Sequence, residues 1–271
     1  ALSNLASPGV TGGALVIVLI FLAAAGCTAS DASAKRFTEM RHRYPQSPDP
    51  LGIARLSVSS ADAVPLSLRG RAVTIMVHPA YALFFREENR NTYSEAKYDL
   101  LKFQLDNEAR FIGEIAKSDN LLILVLPGNY QQDSLAPLSY TFYLNSSTKS
   151  SPLVYYIYSE TSSSGSLSTD TMVTLYGFLQ EIKADKVLIG GGYIGRCQRE
   201  FYNQITTYLD KIPAYIVPEI SSISPDDVDS EEAQEIVNSL HRRDYAPVKM
   251  FIEKKGRGSA NVLHMPSAPV L

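Results

Sequence analysis

The sequence predicts an α/β protein: a three-layer αβα architecture of Rossmann-like kind, with a mostly parallel sheet covered on both faces. Two short runs, Val-Thr-Ile-Met-Val at 73–77 and Leu-Leu-Ile-Leu-Val-Leu at 121–126, have the continuous apolar character of strands buried on both sides. Such runs alternate with stretches of about 15 residues whose apolar positions recur near the helical period. Strands separated by a helix of that length are joined by crossovers, and crossovers make neighbouring strands parallel.

The elements follow in order. After the strand at 73–77, Thr92 and Glu95 form a capping box, and Tyr98, Leu101, Leu105, Ile112 and Ile115 share one side of a helix over 94–117. The strand at 121–126 stops at Pro127 and Gly128. Tyrosine-rich runs at 139–144 and 153–158 flank a polar segment and read as a strand pair or hairpin. Serine-rich residues 159–168 read as a loop. A helix over 169–184, a strand at 187–189, a glycine loop, a helix over 197–209 and a strand at 214–217 follow. The acidic start at Asp226, Asp227 and Asp229 opens a helix over 230–243. Residues 248–253 and 261–264 flank a Lys-Lys-Gly-Arg-Gly turn and read as an edge hairpin. No internal repeat is present.

Composition removes several classes. With 271 residues, 45% hydrophobic and 20% charged, the chain is too apolar to be intrinsically disordered. A net charge of −3 supplies no field that draws the protein onto nucleic acid. Two cysteines do not make a disulfide scaffold. The four histidines, His42, His78, His241 and His264, show no metal-site spacing, and neither metal nor cofactor is expected. Asp226 to Glu232 lacks the glycine of a calcium loop and reads as a helix start.

The N-terminus carries a separate signal. Asp31 is the one charged side chain before Lys35, and residues 13–25 form an unbroken run of small and apolar side chains ending at Gly26 and Cys27. As a helix the run spans roughly 20 Å, short of the ~30 Å hydrocarbon core, so it fits a signal-peptide apolar region better than a membrane span. Ala24-Ala25-Gly26-Cys27 resembles the lipobox of bacterial lipoproteins, which implies cleavage before Cys27 and acylation of that cysteine. The expected organisation is a signal peptide at 1–26, a lipid-anchored tether at 27–65 rich in Ser, Ala and Pro, and one α/β domain at 66–271. Thr28, rather than Asp, after the cysteine resembles the sorting pattern for the outer membrane. The implied location is the bacterial cell envelope, on the periplasmic face.

The segment from Val187 to Cys197 is the most chemically suggestive. Gly190, Gly192 and Gly195 match G-x-G-x-x-G after a strand and before a helix, the pattern of a dinucleotide cradle. Its context departs from that pattern: Glu219, the candidate ribose acid, lies beyond the usual ~20 residues, and Arg199 stands where a small residue belongs. Read differently, Cys197 stands in the first turn of a helix at a strand end, with Arg196 and Arg199 near, an environment that favours thiolate.

Residues 175–197 (LYGFLQEIKADKVLIGGGYIGRC) resemble the helix, strand and nucleophile turn of isochorismatase-like cysteine hydrolases, including a glycine, Gly191, six residues before the cysteine. Residues 73–85 (VTIMVHPAYALFF) resemble that family's first strand and following turn. The resemblance implies the three-layer α/β fold of those cysteine hydrolases, with Cys197 as nucleophile. The family's aspartate base is replaced by His78, and its lysine is absent from 158–164, where Glu160 stands. A His78–Cys197 pair oriented by Glu160 remains chemically sufficient for an altered hydrolase of small amides or esters. The expectation weighed more heavily is a non-catalytic scaffold that binds a small ligand or envelope protein near His78, Glu160, Gly190, Gly191, Gly192, Gly195 and Cys197.

Overall fold

The computed structural model describes residues 53–79, 92–117, 120–128, 153–161, 163–256 and 260–264. Six strands form one sheet: β1 (Ala54–Arg55), β2 (Val73–Val77), β3 (Leu121–Leu126), β4 (Val154–Tyr158), β5 (Val187–Gly192) and β6 (Ala214–Ser222). Their spatial order is β1-β4-β3-β2-β5-β6, and every pairing is parallel. Parallel neighbours require crossovers, and the chain supplies α1 (Glu95–Lys117) between β2 and β3, α2 (Thr169–Glu181) between β4 and β5, and α3 (Cys197–Tyr208) between β5 and β6. Helices α4 (Ser230–His241) and α5 (Ala246–Gly256) complete the fold.

The period-two geometry of strands assigns alternate residues to opposite faces. Val73, Ile75, Val77, Ile123, Val125 and Ile189 pack with Leu175 and Phe178 of α2 and Phe201 and Ile205 of α3. Met76, Leu122, Leu124 and Leu188 pack on the other face with Leu101, Leu105 and Ile112 of α1. Both faces are therefore covered and the class is three-layer α/β, as the near-continuous apolar strands require. The ring of Phe178 meets that of Tyr155 edge-on at 5.6 Å. Both Phe178 and Phe201 are completely buried, and each contributes about 2–3 kcal/mol by area.

Three expectations change. The tether does not run to residue 65: Ala54 and Arg55 pair with Tyr155 and Tyr156, and Ile53, Leu56, Ala61 and Val64 are buried in the domain. Only Ala61 among them lies in one of the two short 3-10 turns, Val58–Ala63 and Leu66–Leu68, and the segment as a whole is too irregular to show a period. Residues 248–253 belong to α5 rather than to a hairpin, because Val248, Phe251 and Ile252 recur at helical spacing and Pro247 occupies the first turn, where its missing N–H costs nothing. The segment around Val262 does pair at an edge, but with β6: Ile216 N donates to Asn261 O at 2.8 Å and Leu263 N donates to Ile216 O at 3.1 Å. The strand read at 187–189 continues through Gly192. Residues 13–25, Cys27 and the run at 139–144 lie outside the described residues. Among the described residues no helix is long and apolar enough to cross a membrane.

Candidate functional site

In this strand order the chain leaves β2 toward β3 and β4, then returns past β2 to place β5 and β6 on its other side. The crevice outside the carboxyl ends of β2 and β5 is the switch point at which open parallel sheets bind ligands. Here the fold gathers His78 after β2, Ser159 after β4, and the segment from Gly191 to Cys197 that ends β5 and opens α3.

His78 is 1% exposed, and its backbone has φ +42, in the left-handed region that a side chain rarely adopts. A hydrogen bond from His78 N to Val125 O at 2.8 Å fixes it there. Such strain persists where surrounding structure over-determines it, and it clusters at functional sites. Nε2 lies 2.9 Å from Ser159 Oγ. The Ser159 hydroxyl has one proton and lies 2.7 Å from Thr161 O and 3.3 Å from Leu126 O, both of which only accept. The hydroxyl therefore donates to a carbonyl, and Nε2–H donates to Oγ, which selects the Nε2–H tautomer. Burial lowers the His78 pKa from 6.5 to about 4, so the ring is neutral at neutral pH. Ser159, not the exposed Glu160, orients the imidazole. The sequence offered one sign of it: Ser159 directly follows a strand at the carboxyl edge.

Three of the four glycines are packed within the sheet. Gly190, Gly191 and Gly192 lie in β5 itself and are buried. A Cβ on Gly191 would sit 2.0 Å from Val77 O, and its φ of +83 excludes most side chains independently. A Cβ on Gly190 would strike Ile220 at 2.5 Å. Gly195, at φ +77, turns the chain into α3, with Lys255 occupying the space a side chain would need. The first glycine of a dinucleotide cradle forms the turn after a strand; here that place lies inside β5, against β2 and β6. The Gly192–Tyr193 peptide is cis.

Cys197 begins α3, as expected, in surroundings that oppose the thiolate. Burial pushes its pKa above the ordinary value and the Glu200 carboxylate adds to this, outweighing backbone N–H groups and the charge of Arg196. Sγ donates to Ser163 O at 3.5 Å, while Nε2 of His78 is engaged by Ser159 rather than by sulfur. The expected cationic support points elsewhere. Arg196 Nε and Nη2 each donate to Asp227 at 3.0 Å, and Arg199 Nη1 donates to Lys255 O at 2.6 Å. Burial opposes ionisation of Asp227, but the Arg196 hydrogen bonds and charge, with Lys255, hold its carboxyl below the usual range.

Several buried polar groups around β6 escaped the sequence reading. The Gln104 side chain on α1 receives a hydrogen bond from Ile223 N at 2.6 Å and returns one to Ile223 O at 2.9 Å, acting as an extra strand beyond β6. Ser222 Oγ donates to the buried carboxylate of Glu108. Burial first, then the Glu108 charge, raises the Tyr193 pKa; burial and a hydrogen bond with Asp226 push Tyr93 up to about 12. Gln198 Nε2 donates to Gly191 O at 3.1 Å and Ser221 Oγ at 2.8 Å, tying α3 to β5 and β6. Its Oε1 has no hydrogen-bond partner among the described residues. One of these was findable: Glu108 interrupts the apolar stripe formed by Leu101, Leu105 and Ile112.

No protein-family model matches the chain, and no curated protein does. Among solved structures it is similar to the YcaC gene product from Escherichia coli, described as an octameric hydrolase of unknown specificity. The identity is 14%, the match covers 71% of this chain and 74% of that one, and the TM-score is 0.41. YcaC from Pseudomonas aeruginosa, solved with hexane-2,5-diol and covalent acrylamide, is similar at 14% identity and a TM-score of 0.41, over 71% and 75% of the two chains.

Proposed function

We propose that this protein is a non-catalytic scaffold that binds a small ligand or an envelope protein at the carboxyl edge of its sheet, around His78 and the start of α3. One observation supports this reading above others: the thiol at the nucleophile position is pushed toward its protonated form, by burial and then by Glu200. A cysteine nucleophile needs thiolate at neutral pH, delivered by an adjacent base or a depressed pKa. The base expected to serve it, His78, has its Nε2 2.9 Å from Ser159 Oγ and engaged there. The strained backbone at His78 and its place at the switch point support retention of the crevice for binding.

The pH dependence of Cys197 alkylation by iodoacetamide, followed by mass spectrometry of its peptide, tests this directly. The reaction should still be accelerating above pH 9; an inflection below pH 7 would overturn the reading. The lipid anchor rests on the sequence of residues 13–27, with the membrane as the partner reached through acylated Cys27. The expected result is a lipid-sized mass increase on a peptide that starts at Cys27, and a peptide retaining residues 1–26 would refute it.

A further inference from the structure

The serine-rich segment between β4 and α2 does more than connect them. Its two ends are held differently. At its far end, Leu167 is 2% exposed within the core, and Ser168 Oγ accepts from Thr171 N at 3.3 Å to cap α2. Gln204 completes that anchorage by accepting from Leu167 N at 2.7 Å and donating to Leu167 O at 2.8 Å. The stretch at 163–166 has the sequence Ser-Ser-Gly-Ser and offers no apolar side chain to bury.

No apolar side chain holds this stretch down: Gly165 is packed in by its backbone, and Glu160 N donates to Ser166 O at 2.8 Å. Glu200 Oε2 accepts from Ser164 Oγ at 2.7 Å and from Gly165 N at 3.0 Å, and Ser163 O accepts from Cys197 Sγ at 3.5 Å. Cys197, Glu200 and Gln204 follow at spacings of three and four, which puts them on one side of α3. Gly165 lies directly on the backbone of Cys197: a Cβ there would be 1.9 Å from Cys197 O. A segment fixed by hydrogen bonds, one of them solvent-exposed and the others part-buried, opens at lower free energy than the sheet, because each such bond is largely replaced by one to water.

We propose that residues 163–166 form a gate over the amino-terminal turn of α3, latched by Glu200 and hinged at Leu167, and that its opening controls access to Cys197. The gate is independent of whether the carboxyl edge binds or reacts. It places exposure of the thiol under the control of whatever competes for the Glu200 carboxylate or for Ser164 and Gly165. Because the opening segment buries no apolar side chain, it exposes little surface. Its equilibrium is therefore insensitive to denaturant, whereas global unfolding is steeply sensitive.

Native-state labelling of the full chain tests this. Iodoacetamide at fixed pH is applied across sub-denaturing urea, and modification of Cys197 is read on its own peptide. In the wild type the labelling rate should stay flat below the unfolding transition and lie at least about tenfold under that of free cysteine. A rate that climbs from zero urea with the slope of global unfolding would overturn the gate, and so would labelling as fast as free cysteine. Glu200→Ala, measured at zero urea beside its unfolding midpoint, should label about tenfold faster than Glu200→Gln, which removes the same charge but keeps an oxygen for Ser164 and Gly165. Equal rates in folded Glu200→Ala and Glu200→Gln would also overturn it, and if either variant fails to fold the wild-type urea slope decides. An altered thiol acidity, which bears on the proposed function, appears in the pH profile and leaves the urea slope untouched.

Discussion

Burial of His78 has a consequence for stability that can be worked from the structure. The folded ring has its pKa lowered to about 4, whereas an exposed histidine in the unfolded chain titrates near 6.5. Below pH 6.5 the unfolded chain binds a proton that the folded protein refuses, so stability falls as the pH drops, until the folded ring protonates near 4. Each pH unit carries about 1.4 kcal/mol, and the interval amounts to roughly 3 kcal/mol. That is a large share of the ~5–15 kcal/mol that holds a typical domain together. His78→Asn isolates the effect: asparagine tolerates a positive φ and does not titrate, and the lost contact to Ser159 is the same at both pH values. Urea unfolding of both proteins at pH 4 and pH 7 should show the gap between their midpoints changing by on the order of 1 M or more, with every other ionisable group common to both. Parallel pH profiles for the two proteins, or an imidazole resonance of His78 titrating near 6.5, would show that the ring is not held neutral by burial.

Other outcomes follow from the same structure. Gly191→Ala adds a left-handed residue, costing about 1–2 kcal/mol, and forces apart β2 and β5 for a further ~1–3 kcal/mol, so the urea midpoint should fall by about 1 M or more; a shift within error would return this glycine to a ligand-binding role. Gln104→Ala leaves the backbone N–H and C=O of Ile223 unpaired in the interior and should cost about 2–4 kcal/mol, and Gln104→Glu, which sets a buried carboxylate against Ile223 O, should cost at least as much near neutral pH. Asp227 has a depressed carboxyl pKa, so its pairing with Arg196 contributes fully above the ordinary value of 3.8 and is lost as the pH falls through the folded value. Because the pair is part-exposed, Arg196→Met should cost about 1 kcal/mol or less near neutral pH, and less again in 1 M salt.

The layers and strands were legible because a parallel sheet buried on both faces writes itself as apolar runs. Leu121–Leu126 and Val73–Val77 are two such runs, and the helices between them carry the 3.6 period. The edges were less legible. Ala54–Arg55 is two residues long and the 3-10 turns after it have no stable period, so their burial depends on tertiary contacts with α2 and β4. The α5 segment reads as apolar from Val248 to Ile252, and a short run of that kind does not distinguish helix from strand without its flanking Pro247. At the site, Cys197 and His78 stood out by chemistry. Ser159, Gln104 and Gln198 did not, since a serine or glutamine acquires its role only from the backbone groups that the fold brings to it.

The reversal at Cys197 shows why a helix start is weak evidence for a reactive thiol. The sequence establishes the sign of two favourable effects, the helix dipole and the neighbouring arginines, each worth about 0.3–1 kcal/mol when exposed. It does not establish depth. The thiol lies under Gly165 and the backbone of Ser163, and desolvation of a buried anion outweighs a partial dipole charge. The arginines make the same point by their direction: Arg196 closes onto Asp227 in the turn after β6 and Arg199 onto Lys255 O in α5, so each ties the start of α3 to a neighbouring segment. The residue that reaches across α3 toward the cysteine is Glu200, whose charge raises the thiol pKa and whose oxygen latches the segment covering it. One carboxylate thus keeps the sulfur both protonated and covered, and its removal should lower the thiol pKa and open the gate together.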